Sequence, residues 1–163
     1  GKTLGDKGRE QVRAFVKRGG GYVGVCAGAY LATNDYSWSL GILNAKVVDK
    51  QHWARGVGDV AIALSPVGRA LLGHSEERLS IYYYQGPLLA PGSDKQLAAY
   101  DTWATFAGEI AKKGAPKGVM IGTTAIAAAR FGKGRVVCFS PHPELTDGLA
   151  GLLHNGIAWA CGK

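Results

Sequence analysis

The pentapeptide Gly24-Val25-Cys26-Ala27-Gly28 constrains this chain more than any other stretch. It closes a short apolar run bounded by glycines, Tyr22-Val23-Gly24-Val25, which reads as a buried strand of a parallel sheet. A helix is expected directly after Cys26. G-x-C-x-G at such a junction is the thiol counterpart of the G-x-S-x-G elbow, where a nucleophile sits on a strained strand-to-helix turn. Side chains at Gly24 and Gly28 would collide across the tight turn, and glycine at both flanks removes that clash. The positive end of the following helix favours an anion, so the position is expected to lower the Cys26 pKa. The backbone N–H of Ala27 is placed to donate to the oxyanion formed when Cys26 attacks a carbonyl. The bland alternative is that Cys26 is a small buried residue and the glycines serve only close helix–strand packing.

A base for that thiol is found near the other end of the sequence. Ser140-Pro141-His142-Pro143-Glu144 breaks the chain after an apolar run, and Pro143 pushes His142 toward an extended conformation. Residues two apart on an extended segment project to the same side, so the Glu144 carboxylate can hold the tautomer of His142 that leaves its other nitrogen free. The alternative here is a surface-turn histidine with a glutamate favouring a helix N-terminus from Leu145. Such a pair at the end of a strand falls where the active sites of open α/β sheets gather.

The remaining elements follow from periodicity and breakers. Asp6 to Arg18 reads as a helix with Val12, Phe15 and Val16 on one face and Asp6 as cap, ended by Gly19-Gly20-Gly21. Strands are expected at residues 44–48, 60–64 and 79–84, with a helix from Ser65-Pro66 through Leu72. Residues 125–131 and 135–139 form a hairpin across Gly132-Lys133-Gly134, and Leu149, Leu152, Leu153, Ile157 and Ala160 recur at helical spacing in a helix over 145–160. Turns are expected at Gln85-Gly86-Pro87 and Pro91-Gly92-Ser93.

Composition narrows the class. A chain of 163 residues with 47% hydrophobic content is one domain with a sufficient core. No stretch approaches the roughly eighteen apolar residues of a membrane span, and no nucleic-acid stripe is visible: the +7 charge comes from scattered basic residues paired at most as Lys17-Arg18 and Lys112-Lys113. The chain therefore reads as soluble; its start carries no secretory signal, but a cytoplasmic protein and one exported after signal removal would look alike. Cys26, Cys138 and Cys161 form no disulfide framework, and Cys138 sits in an apolar run as a small hydrophobe. His52, His74 and His154 lack metal-ligand spacing, so neither a metal nor a cofactor is expected.

Taken together these blocks resemble the class I glutamine amidotransferase superfamily, whose triad joins an elbow cysteine to a histidine and glutamate in H-x-E. Residues 20–32, Tyr83-Tyr84-Gln85-Gly86-Pro87 and residues 140–144 resemble more closely the biotin-protein ligase N-terminal-like domain. The resemblance implies an α/β fold: a three-layer, flavodoxin-like sheet of mostly parallel strands with helices on both faces, here lacking its N-terminal strands and oxyanion loop. The sheet is then expected to be incomplete, or completed by another chain or by residues outside this sequence. It also implies acyl transfer through a thioester, on a small-molecule amide or ester, with Cys26 as nucleophile, His142 as base and acid, and Glu144 orienting it. Glutaminases of the superfamily carry glutamine four residues after the nucleophile; here that residue is Tyr30, which puts a free-glutamine pocket in doubt. Tyr30, Tyr84 and Gln85 are candidate substrate contacts. A non-catalytic ligand-binding or interaction module on the same fold, and a thiol sensor using Cys26, stand as alternatives.

Overall fold

A computed structural model describes all of residues 1–163. In chain order the elements are α1 (Gly5–Lys17), β1 (Gly21–Val25), α2 (Ala27–Ala32), β2 (Ala45–Val48), β3 (Val57–Leu64), α3 (Pro66–Leu72), β4 (Arg78–Tyr84), β5 (Leu88–Pro91), β6 (Asp101–Phe106), β7 (Thr124–Phe131), β8 (Gly134–Phe139) and α4 (Ala150–Ala160). The strands run β1-β8-β7-β6-β3-β4 across the sheet, with β2 joined through β5 to β7.

The expectation of mostly parallel strands is corrected. Only β1 and β8 pair parallel; β8/β7, β7/β6, β6/β3, β3/β4, β5/β7 and β2/β5 are antiparallel. A parallel neighbour needs a long crossover, usually helical. The chain has no α-helix between Leu72 and Ala150, so its strands in that stretch return as antiparallel neighbours. The helices do cover both faces, because side chains alternate along each strand. On β8, Val137 and Phe139 enter one core with Leu72 of α3 and Leu152 and Ala160 of α4. Val136 and Cys138 enter the other with Val16 of α1 and Ala29 and Ala32 of α2. Cys138 is fully buried there, and burial pushes its thiol pKa well up, which suits a small hydrophobe.

The sheet is curled. Although β4 ends the strand order opposite β1, the two ends meet: the Cys26 thiol just after β1 donates to the carbonyl of Tyr84 on β4. Trp103, Phe106, Tyr83 and Phe139 fill the concavity, with Tyr83 edge-on to Phe106 at 5.7 Å between ring centroids.

Several boundaries differ from those the sequence pattern suggests. Asp6 does not cap α1 but pairs with Arg9, and the helix begins at Gly5 after Leu4. Phe15 is turned away from the core, 54% exposed, and its ring lies over Gly20, where a Cβ would fall 2.2 Å from it. The last helix starts at Ala150 rather than 145, since Gly148 adopts φ +76° and breaks any continuous helix from the turn at Pro143–Leu145. Strands β5 and β6 lie outside the stretches that pattern marks as strands. The start of α3 is as read: Pro66 occupies the first turn and the Ser65 hydroxyl accepts from Gly68 N–H at 3.0 Å.

Replacing Ser65 by alanine removes that cap. Urea denaturation should show a loss of about 1 kcal/mol, and an unchanged midpoint would count against the cap.

Candidate active site

The parallel register decides where the candidate residues gather. Val25 pairs with Phe139, so β1 and β8 end side by side, and the Cys26 N–H donates to the Phe139 carbonyl at 2.8 Å. Cys26 then turns sharply, with φ +50° and ψ −102°, a conformation that costs an ordinary residue about 1–3 kcal/mol. Its own carbonyl accepts from Ala29 and Tyr30 N–H at 3.0 and 3.2 Å and starts α2.

The elbow glycines are unequal. A Cβ on Gly24 would lie 2.6 Å from the carbonyl carbon and oxygen of Gly28, so the close approach requires glycine there. A Cβ on Gly28 would meet only the Tyr22 hydroxyl, at 3.7 Å. The reading that both flanks need glycine is therefore corrected: what presses on Gly24 is the backbone of residue 28, not its side chain. Tyr22 secures that backbone by donating to the Gly28 carbonyl at 2.8 Å.

The expected low thiol pKa is also corrected. Burial pushes the Cys26 thiol up; the Ala27 N–H works in the opposite direction, and the negative charge of Glu144 adds to the rise. With α2 only six residues long, its dipole is small, and desolvation prevails. The neutral thiol donates to the Tyr84 carbonyl at 3.1 Å.

His142 is delivered by the segment leaving β8. Its N–H donates to the Tyr82 carbonyl at 2.8 Å, and Thr146 ties the turn to β4: its hydroxyl donates to the His142 carbonyl at 2.9 Å and accepts from Tyr82 N–H at 3.0 Å. Nδ1 lies 2.6 Å from Glu144 Oε1. In the neutral ring Nδ1–H donates to that carboxylate and Nε2 holds the lone pair. Nε2 is shielded from solvent and has no hydrogen-bond partner. The imidazole lies between Tyr82 and Tyr84, with ring centroids 6.3 and 6.4 Å away.

A strap crosses beside the thiol. The carbonyls of Tyr84, Gln85 and Gly86 accept from Cys26, the Tyr30 hydroxyl (3.2 Å) and the Tyr83 hydroxyl (2.8 Å) respectively. Gln85 has φ +59°, and Gly86 approaches Ser140 so closely that a Cβ would fall 2.0 Å from its carbonyl oxygen. Tyr30 thus does structural duty in holding this strap, and its buried hydroxyl is kept protonated to high pH by desolvation.

A cavity of about 710 Å³ opens over Cys26. Of the sequence-derived candidates, Cys26, Ala27, Gly28, Tyr30, Tyr84 and Gln85 form its wall; Gly24, His142 and Glu144 do not. Sequence reasoning missed the other six wall residues, Gly1, Leu31, Tyr36, Trp38, Lys50 and Trp53. The signal available was that Tyr36, Trp38 and Trp53 are large aromatics in stretches with no periodic packing pattern. His52, read as a surface or core residue, shares the Asp49 carboxylate with the fully buried Arg55, at 2.6 and 2.5 Å. No three histidine, cysteine or acidic side chains come together as a metal site, and no helix is long and apolar enough to cross a membrane.

Comparison with known proteins agrees with the resemblance read from the sequence. The family described as "Biotin-protein ligase, N terminal" matches residues 1–58. Among solved structures, a protein from Thermoplasma acidophilum described as "a putative gmp synthase subunit a protein" superposes with a TM-score of 0.57 at 10% identity, covering 96% of this chain and 65% of its own. A glutamine amidotransferase from Thermotoga maritima gives 0.51 at 13% identity, covering 93% and 51%. A β-galactosidase from Rahnella sp. R3 gives 0.57 at 13% identity, covering 94% of this chain and 20% of its own. The chain thus spans a fifth to two thirds of these proteins. No curated protein matches it by sequence. The chain shares its fold with these proteins, and its first 58 residues are similar to the biotin-protein ligase N-terminal family.

Two outcomes follow. Gly24→Ala should cost about 1–3 kcal/mol from the forced contact, whereas Gly28→Ala should be tolerated; denaturant midpoints of the two variants test the asymmetry, and equal losses would refute it. Because the folded thiol titrates above its usual value of 9.0, iodoacetamide alkylation of Cys26 should keep rising with pH beyond that point; a rate already at its plateau at pH 8 would contradict the shift.

Proposed function

We propose that this domain is a cysteine-dependent hydrolase or amidotransferase acting on a small-molecule amide or ester through a thioester. The observation that carries the reading is His142: its Nδ1 is held 2.6 Å from Glu144, while Nε2 is shielded from solvent and unpartnered, and its ring packs on Tyr84, whose carbonyl accepts from the Cys26 thiol at the cavity wall. A histidine capping a surface turn has no need of a shielded, idle nitrogen.

In the proposed reaction the thiol leaves the Tyr84 carbonyl as substrate enters and delivers its proton to His142 Nε2. The sulfur bonds to the substrate carbonyl carbon, whose π electrons move to oxygen, and Ala27 N–H donates to that oxyanion. The oxyanion re-forms the carbonyl and expels the amine or alcohol, which takes the proton from His142. Water then attacks the thioester, losing a proton to Nε2, and the sulfur departs and recovers it. Where an amine replaces water, the same steps transfer the acyl group. Glu144 keeps the imidazole in the required tautomer and stabilises the imidazolium. The high thiol pKa fits this general-base route, in which the proton moves only as the carbon–sulfur bond forms.

A binding module that merely retains the elbow is the competing reading, favoured by the neutral thiol already held by the Tyr84 carbonyl. The cavity over the sulfur supports the enzyme instead. As for macromolecular partners, β1 ends the strand order and pairs only with β8, which supports the addition of a further strand from another chain or segment along its other edge. Neither nucleic acid nor membrane enters the proposal.

Mixing the protein with p-nitrophenyl acetate should give a burst of one p-nitrophenol per chain and a protein heavier by one acetyl group on Cys26. Cys26→Ala should abolish both, and His142→Ala should slow the burst by about 10²–10⁴-fold. A burst that survives in Cys26→Ala would overturn the assignment; one unaffected by His142→Ala would remove the base.

A further inference from the structure

We infer that the group attached to the scissile carbonyl is an uncharged apolar or aromatic one, not the charged backbone of free glutamine. The inference rests on the enzyme reading above and names the substrate class for that site. Eight of the twelve residues at the cavity wall are hydrophobic, and five aromatic side chains, Tyr30, Tyr36, Trp38, Trp53 and Tyr84, surround the approach to Cys26. Tyr36 and Trp38 stack at 4.7 Å with an interplanar angle of 20°, forming a flat wall against which a planar or extended apolar group fits.

Charge argues the same way. An amino acid brings an ammonium and a carboxylate, and each must find a partner when it leaves water. No acidic side chain lines the cavity, so the ammonium has none. Lys50 is the one basic side chain there, and it is already engaged: Nζ lies 2.8 Å from Asp35 Oδ1, donates to the Asp35 carbonyl at 3.2 Å and sits 4.8 Å from the Tyr36 ring centroid. A substrate carboxylate would have to compete with all three. Tyr30 is likewise occupied by the Gln85 carbonyl and has no free hydrogen for a substrate carbonyl. An apolar group, in contrast, loses nothing on entry and removes aromatic surface from water; Trp53 alone is 55% exposed.

Two measurements separate this inference from the reaction it rests on. Binding is read in Cys26→Ala, which has no nucleophile, by tryptophan fluorescence titration. Hexanamide should bind at least about tenfold more tightly than acetamide, as expected for several buried methylenes, and more tightly than glutamine. Trp53→Ala in the same background should reduce the hexanamide preference. Reactivity is read in the unmodified protein with p-nitrophenyl acetate and hexanoate, and with acetyl esters whose leaving group is lengthened, which tells the acyl side from the leaving side. A rate that climbs with chain length in either series supports the inference. Glutamine binding as tightly as hexanamide, or affinity indifferent to chain length, overturns it even when Cys26 is acylated. Tight hexanamide binding without acylation of Cys26 by any ester would uphold the apolar pocket and sink the enzyme reading alone.

Discussion

The parallel pairing of β1 with β8 is the contact on which the rest of the site depends. It brings the two C-terminal strand ends level, so Cys26 and the segment carrying His142 emerge on the same edge from positions more than a hundred residues apart in sequence. The Cys26 N–H to Phe139 carbonyl bond continues that ladder by one residue and pins the strained turn in place. Without it, a non-glycine residue at φ +50° would relax, since nothing local rewards that conformation. The packing of Gly28 backbone onto Gly24 does the same from the helix side, and Tyr22 locks it.

The second requirement is that the sheet curl. In a flat sheet β4 would lie five strand positions from β1, roughly 24 Å away at the usual spacing. Instead Tyr84 reaches the sulfur, Tyr82 holds the backbone of His142, and Tyr83 and Tyr30 anchor the strap. The three consecutive tyrosines therefore divide their work: the middle one is buried in the core, and the outer two flank the imidazole. The strands that carry this contact across the sheet are antiparallel, which is where it departs from a flavodoxin-like arrangement. The same fold superposes on part of a β-galactosidase as well as on a glutamine amidotransferase, so the architecture by itself names no activity.

Electrostatically the site is quiet. Burial raises the Cys26 thiol and the Tyr30 and Tyr83 hydroxyls, and Lys50, the one charged side chain of the cavity wall, is paired with Asp35. Arg55, buried beneath, has its charge answered by Asp49.

Local pattern determined a good deal. Glycine flanks and an apolar run were enough to place Cys26 between strand and helix; Ser65-Pro66 marked a helix start and the Gly132-Lys133-Gly134 link marked a hairpin, while His142 and Glu144 do meet, but through a tight turn over Pro143–Leu145 and not along the extended segment their spacing suggests. These are short-range matters, governed by φ restrictions, caps and side-chain direction within a few residues. What tertiary structure alone decided is long-range: which strands pair and in what sense, how the sheet curls, and which loop aromatics meet over the sulfur. Tyr36, Trp38 and Trp53 are marked locally only as large aromatics outside any periodic pattern, because a wall is made only when separate loops fold onto one space. The Cys26 pKa belongs to the same class: its local helix argued for a lower value, and the burial that raised it came from the folded whole.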